Sequence, residues 1–513
     1  MGDFMAVKIK SGTCSNFNGF IIEVEVFISK GLPSFSIVGL PDTAVRESKE
    51  RVRAAIINSG YKFPMGRITV SLAPADIKKI GSLLDLPIAI GILIESNQIS
   101  NNDLKDFLII GELSLSGDIK GVKGVLPIMM EGVERKIKNI IFPKKNINEC
   151  TYNNEITYYP FNDLKETTSF INSGNSISFK VRKNKLIKEK HPYTFDDIIG
   201  QENSKRAMLL SAAGKHNLLL FGKTGCGKTM LAKAYKSILS DLSRKEKIEI
   251  AKIYSIAGKL ENNEMVTRPF RNPHHSITKM ALIGGGNSVK PGEVTLAHGG
   301  ILFLDEILEF KKGILELLRE PLEEGNISIN RGNIAMVLPA KFILIGATNL
   351  CPCGNEIIND GLISSGCTCS EGAKVRYTNK ISKALRDRID IFNYVPPIKF
   401  TEINNKNLRI STKVMREKVR FAEEQQFERL KDTRYTFNAE IKGKDIFELC
   451  RVSKKIMNLL ENYFKISGAS LRSYGKVIKL ARTIADIEDN KDISESNIIE
   501  AISFRRDFNG KII

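Results

Sequence analysis

The first part of the chain contains short stretches of alternating apolar and polar residues, separated by stretches with helical periodicity. Residues 20–28 and 34–38 alternate as half-buried strands do, whereas residues 43–59 place apolar side chains three and four positions apart, as a helix requires. Further elements are predicted as strands at 67–72, 107–114 and 140–142, helices at 86–95 and 125–135, and a hairpin turn at 116–118. The pattern predicts an α+β domain over residues 1–172.

The pattern changes after this domain. Residues 173–192 are polar and basic with few large apolar side chains, which indicates a linker. Residues 193–400 then alternate helices with wholly apolar strands, the pattern of a buried parallel sheet. These strands are predicted at 217–221, 300–304 and 342–346.

The end of the chain, residues 401–513, has helical periodicity throughout and is interpreted as a helical lid, with amphipathic helices predicted at 409–424 and 474–487. A chain of 513 residues, 42% of them apolar, is too long for a single core and favours two or three domains. The predicted fold class is α/β.

The charge balance narrows the choice of partners. Lys and Arg number 77 against 58 Asp and Glu, which gives a formal net charge of +19. Such a field attracts a polyanion, and nucleic acid is the obvious candidate; lysine-rich solvated faces are the alternative, because net charge says nothing about clustering. No apolar run of membrane-spanning length and no secretion signal are present in the sequence, so we expect a cytoplasmic protein with no membrane partner.

A glycine-rich segment matches the phosphate-binding P-loop in full and lies between a predicted strand and a predicted helix. Its backbone N–H groups and the helix dipole would cradle the phosphates of ATP, Lys228 would reach the β- and γ-phosphates, and the Thr229 hydroxyl would bind Mg²⁺. The segment consists of Gly222, Lys223, Thr224, Gly225, Cys226, Gly227, Lys228 and Thr229.

Polar residues end two other apolar strands. Asp305 and Glu306 follow one of them, and together with the P-loop this order assigns Asp305 to Mg²⁺ and Glu306 to the attacking water. Asn349 follows the next and is placed to orient the water or contact the γ-phosphate; the alternative is an Asx turn before Pro352.

Two further groups suggest metal chemistry. Four of the eight cysteines form two C-x-C pairs, which suit tetrahedral zinc but are more tightly spaced than usual zinc ligands, so reduced free thiols remain the alternative. They are Cys351, Cys353, Cys367 and Cys369. His274 and His275 are adjacent, so their rings are expected to point apart and to serve loop contacts rather than a metal.

Several longer motifs resemble the magnesium-chelatase-like AAA+ ATPases of the ComM (YifB) family, and the resemblance covers nearly the whole chain. They include Phe270-Arg271-Asn272-Pro273-His274-His275, Pro291-Gly292-Glu293-Val294-Thr295-Leu296-Ala297-His298, Ala347-Thr348-Asn349-Leu350-Cys351-Pro352-Cys353-Gly354 and Asp85-Leu86-Pro87. Lys223, Thr224 and Leu350 depart from the family's usual prolines without removing a catalytic group.

The resemblance implies roles that the residues alone do not. Arg388 would be an arginine finger that completes a neighbouring subunit's ATP site, which implies a ring, with a hexamer as the expected size. Arg472 would be the sensor-2 arginine of the lid. The N-terminal domain is similar to the Lon-protease fold, but Ser82 lacks the nucleophile's usual setting, so a structural or partner-binding domain is expected there.

Two functions are consistent with these observations. The first is an ATP-driven ring motor that translocates on DNA and promotes branch migration in recombination or transformation, as the family resemblance implies. The second is ATP-driven remodelling of a protein partner without DNA, in the manner of a chelatase motor, with the partner bound through the N-terminal domain.

Overall fold

A computed structural model describes residues 6–15, 17–100, 104–152, 156–173, 191–260, 267–286, 290–331, 334–359, 362–398, 410–467 and 471–506. The chain forms two compact units. The N-terminal unit comprises Met1–Ile187 and Arg244–Val266, and the P-loop unit comprises Lys188–Ser243 and Thr267–Ile513. Most of the linker predicted at 173–192 lies outside the described residues.

The strands, numbered along the chain, are β1 (Val7–Ser15), β2 (Asn18–Ser29), β3 (Ser34–Val38), β4 (Arg67–Ala73), β5 (Phe107–Ile109), β6 (Glu112–Leu113), β7 (Ile119–Lys120), β8 (Asn139–Pro143), β9 (Thr157–Phe161), β10 (Leu218–Phe221), β11 (Phe270–Arg271), β12 (Gly284–Gly285), β13 (Lys290–Pro291), β14 (Ile301–Leu304), β15 (Asn326–Arg331), β16 (Ile334–Pro339), β17 (Ile343–Thr348), β18 (Glu356–Asn359), β19 (Leu362–Ser365) and β20 (Ile391–Tyr394).

The α-helices are α1 (Thr43–Asn58), α2 (Asp85–Glu95), α3 (Val125–Glu134), α4 (Leu164–Ser173), α5 (Glu202–Gly214), α6 (Lys228–Ala234), α7 (Arg244–Ala257), α8 (Lys279–Ile283), α9 (Glu293–Leu296), α10 (Lys312–Leu315), α11 (Arg319–Glu324), α12 (Glu371–Thr378), α13 (Lys383–Arg386), α14 (Thr412–Leu430), α15 (Asp445–Leu449), α16 (Lys454–Ser467), α17 (Leu471–Ile487) and α18 (Glu495–Ser503). Short 3₁₀ turns lie at Lys144–Tyr152, Phe195–Asp197, Tyr235–Ile238, Ile307–Glu309, Glu316–Leu318 and Asn438–Glu440.

The N-terminal unit is built on a mixed seven-stranded sheet in the order β3-β4-β2-β1-β5-β8-β9. Side chains alternate between its two faces, as they must along a strand: Ile109 and Ile141 pack with α1, α2 and α4, whereas Leu108 and Ile140 pack with α3. Both faces of this mixed sheet are therefore covered by helices.

Helix α7 belongs to the N-terminal unit although its sequence follows the P-loop. Glu149 connects it to α3: its Oε2 accepts the N–H of Leu126 at 2.7 Å and the hydroxyl of Ser255 at 2.6 Å, while its Oε1 accepts the amide of Asn146 at 2.7 Å. Leu126 lies in the first turn of α3, where helix N–H groups lack partners within the helix. One buried carboxylate thus caps α3 and fixes α7.

The P-loop unit has a five-stranded parallel sheet in the order β11-β14-β17-β10-β20. The strands predicted from apolar runs are β10, β14 and β17, and the structure confirms all three. Their residues are buried, as expected of a parallel sheet covered on both faces. Helices α14 to α18 follow the sheet, so the predicted helical character of the C-terminal region is also confirmed for the described residues.

Helical and strand periodicity did not reveal every element. β1, β9, β11 and β20 were not predicted, and the strand expected at 107–114 is divided into β5 and β6. β6 leaves the main sheet and pairs with β7 around the predicted 116–118 turn, because Ser114 N–H donates to the Asp118 carbonyl at 2.9 Å. No helix within the described ranges is both long and apolar enough to span a membrane.

Removal of the Glu149 carboxylate is expected to loosen α3 and α7 together. Glu149→Ala leaves buried donors without an acceptor, at a cost of about 3 kcal/mol in local stability. Hydrogen-exchange mass spectrometry of the full chain should show exchange on the order of 100-fold faster in both helices. Glu134→Ala, which removes an exposed carboxylate from the end of α3, is the matched control; equal exchange in the two variants would contradict the capping role.

Candidate nucleotide site and cysteine cluster

The parallel sheet gathers the predicted site residues at one edge. β10 pairs with β17 and β20, and β14 pairs with the other side of β17. Because all these strands run in the same direction, the P-loop after β10, Asp305 after β14 and Asn349 after β17 emerge side by side. Lys228 and Asn349 are 121 positions apart in the sequence, and the sheet brings them together.

The P-loop places a buried ammonium group among neutral acceptors. Lys228 Nζ donates to the carbonyls of Gly222 and Lys223, both at 2.9 Å, and to Asn349 Oδ1 at 3.1 Å. Burial lowers the pKa of Lys228, and the Cys226 thiol and the carboxylates of Asp305 and Glu306 oppose that change. The ammonium is thus in place to meet an anion.

Local backbone geometry explains the glycines that follow. Gly225 and Gly227 have φ of +82° and +93°, a region that residues with a side chain rarely adopt, and Gly227 immediately precedes α6. Helix α6 therefore begins at Lys228 and directs its free N–H groups towards the loop.

A hydroxyl and a carboxylate form the second part of the site. Thr229 Oγ1 donates to Asp305 Oδ2 at 3.0 Å, and Asp305 Oδ1 accepts the N–H of Glu306 at 3.1 Å. These oxygens are ligands that Mg²⁺ prefers, so Thr229 and Asp305 fit a magnesium ion. Glu306 has left-handed backbone geometry, with φ +49°, and its side chain is 60% exposed.

The histidine pair is arranged differently from the prediction. The rings of His274 and His275 have centroids only 4.1 Å apart, because these residues lie in a non-helical turn rather than on a regular element. His275 Nδ1 is 4.0 Å from Glu306 Oε2. The expectation that the rings point apart is wrong, and His275 is a neighbour of the site that sequence reasoning missed.

Arg388 and Arg472 meet at a residue that the sequence did not indicate. Arg388 donates to Glu323 Oε2 and also to the carbonyls of Arg319 at 3.0 Å and Ala384 at 2.7 Å. Arg472 Nη2 lies 3.6 Å from Glu323 Oε1, and its side chain is 61% exposed. The structure therefore brings both arginines to one carboxylate, with Arg388 held firmly and Arg472 loosely.

The four clustered cysteines converge in space. Their Sγ atoms all lie within 4.8 Å of one another, with 3.3 Å between Cys351 and Cys353 and 3.5 Å between Cys353 and Cys367. Zinc thiolate bonds of about 2.3 Å in a tetrahedron place sulfurs about 3.8 Å apart, so this set, with Cys369, fits a four-thiolate ion. The Asn355 N–H lowers the pKa of the Cys353 thiol to about 6.

Comparison with known proteins gives a consistent result. The family described as "Magnesium chelatase, subunit ChlI" matches residues 194–403, "Subunit ChlI of Mg-chelatase" matches 24–146, and "Magnesium chelatase, subunit ChlI C-terminal" matches 409–505. "Competence protein ComM" of Haemophilus influenzae is 38% identical over 494 residues, and YifB of Escherichia coli is 37% identical over 487 residues; each alignment covers 94% of both chains. The magnesium-chelatase 38 kDa subunit of Cereibacter sphaeroides is 26% identical over 178 residues, 31% of this chain and 53% of that protein.

The fold and the site define a P-loop protein of the magnesium-chelatase type. Identity of 38% along 94% of the chain narrows the class: the chain belongs to the magnesium-chelatase-like ComM (YifB) family.

The unequal attachment of the two arginines to Glu323 can be measured. Double-mutant cycles of Glu323→Ala with Arg388→Ala and with Arg472→Ala, followed by urea unfolding of the full chain, should give a coupling energy of about 1–2 kcal/mol for Arg388 and below about 0.5 kcal/mol for Arg472. Glu324→Ala, in place of Glu323→Ala, provides the control cycle. Equal coupling for both arginines would contradict the geometry.

Proposed function

We propose that this protein hydrolyses Mg-ATP and uses the cycle to drive a homo-oligomeric ring motor along DNA. The observation that carries the hydrolysis proposal is the juxtaposition of Lys228 with Asn349 and of Thr229 with Asp305 at one sheet edge. Membership in a family whose matched descriptions are magnesium-chelatase subunits supports an AAA+ ATPase.

Each residue at this edge has a distinct task in the proposal. Lys228 contacts the β- and γ-phosphates, since its Nζ is already held among backbone carbonyls at the mouth of the loop. Thr229 and Asp305 hold Mg²⁺, which neutralises charge on the phosphates. Glu306 polarises the attacking water, and Asn349 orients it or contacts the γ-phosphate.

The proposed ring rests on the arginines. Arg388 acts as a finger on the ATP of a neighbouring subunit and Arg472 as the sensor-2 arginine, with six subunits as the expected number. Glu323 holds both side chains in one place before a neighbour arrives, which supports a shared task. Arg388 must give up part of that contact to reach a phosphate.

The DNA proposal draws on charge and on projecting loops. The formal charge of +19 would attract a polyanion. In the antiparallel hairpin of β15 and β16, Arg331 is the last residue of β15, and Lys279 and Lys290 elsewhere in the same unit are exposed. Cations on such loops can grip a phosphate backbone without reading sequence.

A protein client is the second candidate. The N-terminal unit, proposed to be Lon-protease-like, exposes Leu32 to 90% and Met65 to 88%, an apolar surface suited to a partner. The chelatase motor subunit covers only 31% of this chain, whereas ComM covers 94%, so the DNA motor is preferred.

We further propose that Cys351, Cys353, Cys367 and Cys369 bind one Zn²⁺. Four sulfurs this close would repel one another as thiolates, and a divalent cation removes that repulsion. The cytoplasm, where thiols stay reduced, is the compartment that we propose for such a site.

Steady-state ATP hydrolysis tests the motor. Glu306→Gln is expected to lower kcat on the order of 100-fold or more while nucleotide binding persists. Single-stranded, duplex or branched DNA should stimulate the unmodified protein, and the stimulation should weaken as salt rises. Glu309→Gln, three residues further on and also exposed, is the matched control.

The outcomes separate the candidates. Absence of hydrolysis in the unmodified protein would overturn the ATPase proposal itself. Hydrolysis that no DNA alters would remove the DNA motor and leave the protein client.

Elemental analysis tests the zinc site. The full chain, purified under reducing conditions, is expected to carry about one zinc per chain, in keeping with a four-thiolate site. Cys367→Ser combined with Cys369→Ser should lose it, whereas Thr368→Ala, an exposed residue between these ligands, should keep it. Metal-free unmodified protein with reactive thiols would favour free cysteines instead.

A further inference from the structure

The cysteine cluster and the P-loop share a turn. Residues Cys351 to Gly354 form a tight turn in which Gly354 N–H donates to the Cys351 carbonyl at 3.0 Å. The carbonyl of Gly354 in turn accepts the N–H of Thr224, a P-loop residue, at 3.1 Å. One short turn therefore carries two of the four thiols and a hydrogen bond to the phosphate loop.

Gly354 packs closely against Thr224 of the P-loop. Gly354 has φ +74°, and a Cβ atom at this position would collide with Thr224 Oγ1 and come within 3.5 Å of Asn349 Nδ2. Only glycine satisfies both the backbone geometry and the space. Cys351 is fully buried at the same turn. A displacement of this metal ligand would therefore also displace Gly354, which contacts the P-loop.

Two more hydrogen bonds connect the same segment with the P-loop. Gly222 N–H donates to the Thr348 carbonyl at 3.2 Å, and Lys228 Nζ donates to Asn349 Oδ1 at 3.1 Å. The beginning, middle and end of the P-loop are thus each attached to residues 348–354. Any displacement of that segment must move the acceptors that position the loop.

Residues 349–354 are only partly buried. Leu350 and Cys351 are buried, but Pro352 and Cys353 are exposed, and the opposite ligands Cys367 and Cys369 are only partly covered. A turn with so small an apolar contribution is the kind of structure that a bound metal fixes, since metal binding free energy becomes folding free energy of its ligands.

We infer that the four-thiolate centre is a positioning element of the ATP site: a metal bound by these cysteines holds residues 349–354 against the P-loop and so sets the affinity for nucleotide. This inference rests on the proposed ATP and zinc sites. The centre would act through Gly354 on Thr224 and through Asn349 on Lys228. Metal loss is therefore expected to weaken ATP binding although none of the proposed catalytic residues is changed.

The test compares metal content with nucleotide affinity in the full chain. Cys367→Ser/Cys369→Ser removes two ligands that lie outside the shared turn, so the chemistry of residues 349–354 is unaltered. Binding of a non-hydrolysable ATP analogue with Mg²⁺, measured by calorimetry, should weaken at least tenfold, with zinc below a tenth of the unmodified content. Thr368→Ala should retain both zinc and affinity, and hydrogen exchange in α17 and α18, which belong to the P-loop unit, verifies that this unit of each variant is folded.

A second variant examines the connection itself. Gly354→Ala is expected to keep zinc and yet weaken nucleotide binding, because the added methyl group displaces Thr224. Combination with Thr224→Ala removes the hydroxyl from the collision and should restore part of the affinity. Such a rescue would show that the turn acts on the P-loop through Thr224.

Three results would overturn the inference. Loss of zinc with nucleotide affinity within twofold of the unmodified protein would show that the centre and the P-loop are independent, while the zinc site and the ATPase stand. Unmodified protein without metal, even after zinc supplementation, would overturn the zinc site and this inference but not ATP hydrolysis. Failure of the unmodified protein to bind nucleotide would overturn the proposed ATP site and, with it, this inference.

Discussion

The ammonium group of Lys228 is the constraint on which the rest of the P-loop unit depends. It is largely buried, and its hydrogen-bond acceptors are two backbone carbonyls, the Asn349 amide oxygen and, at 3.8 Å, the Cys226 sulfur, with no carboxylate among them. Burial of a cation without a directly bonded carboxylate costs free energy, as the lowered pKa of Lys228 reflects. A phosphate bound beside Lys228 would supply the negative charge that its direct hydrogen-bond partners lack. The strand order, the glycine backbone and the position of Asn349 together hold the Lys228 ammonium group at the sheet edge.

The division into two units constrains how the parts of the chain can be separated. The chain passes from one unit to the other after Ile187, after Ser243 and after Val266. Helix α7 therefore leaves the P-loop unit shortly after α6 and packs in the N-terminal unit, where Glu149 bonds Ser255. Cleavage at the predicted linker would remove the partners of α7 rather than release an independent N-terminal domain. The N-terminal unit therefore includes a segment, Arg244–Val266, that follows the P-loop in the sequence.

Residue patterns predicted the parts of this structure that depend on local chemistry. Alternation identified β2 and β3, apolar runs identified β10, β14 and β17, and the P-loop pattern identified the helix that follows it, α6. β1 was missed because Ser11, Gly12 and Thr13 interrupt its apolar pattern, although Gly12 is needed where Ile128 packs closely. β20 was missed because the polar Asn393 interrupts its short apolar run.

Contacts between distant residues could not be predicted in this way. Glu323 precedes Arg388 by 65 positions, and nothing in its neighbourhood signals that two arginines meet there. The C-x-C spacing is atypical for zinc, and only the pairing of β18 with β19 explains how Cys367 and Cys369 return to Cys351 and Cys353. The roles assigned to the site residues remain predictions, since geometry gives their positions and not their chemistry.

The two halves of the nucleotide site differ in how completely one chain organises them. Lys228, Thr229 and Asp305 are held by hydrogen bonds of 2.9 to 3.1 Å, so the groups proposed to bind phosphate and Mg²⁺ are preorganised. Glu306 is mostly exposed, and its carboxylate oxygen lies 4.0 Å from the His275 ring nitrogen. Binding needs little rearrangement, whereas an ordered water and a fixed Glu306 need further groups. The proposed ring would account for this asymmetry, because hydrolysis would then wait for a neighbouring subunit while ATP binding would not.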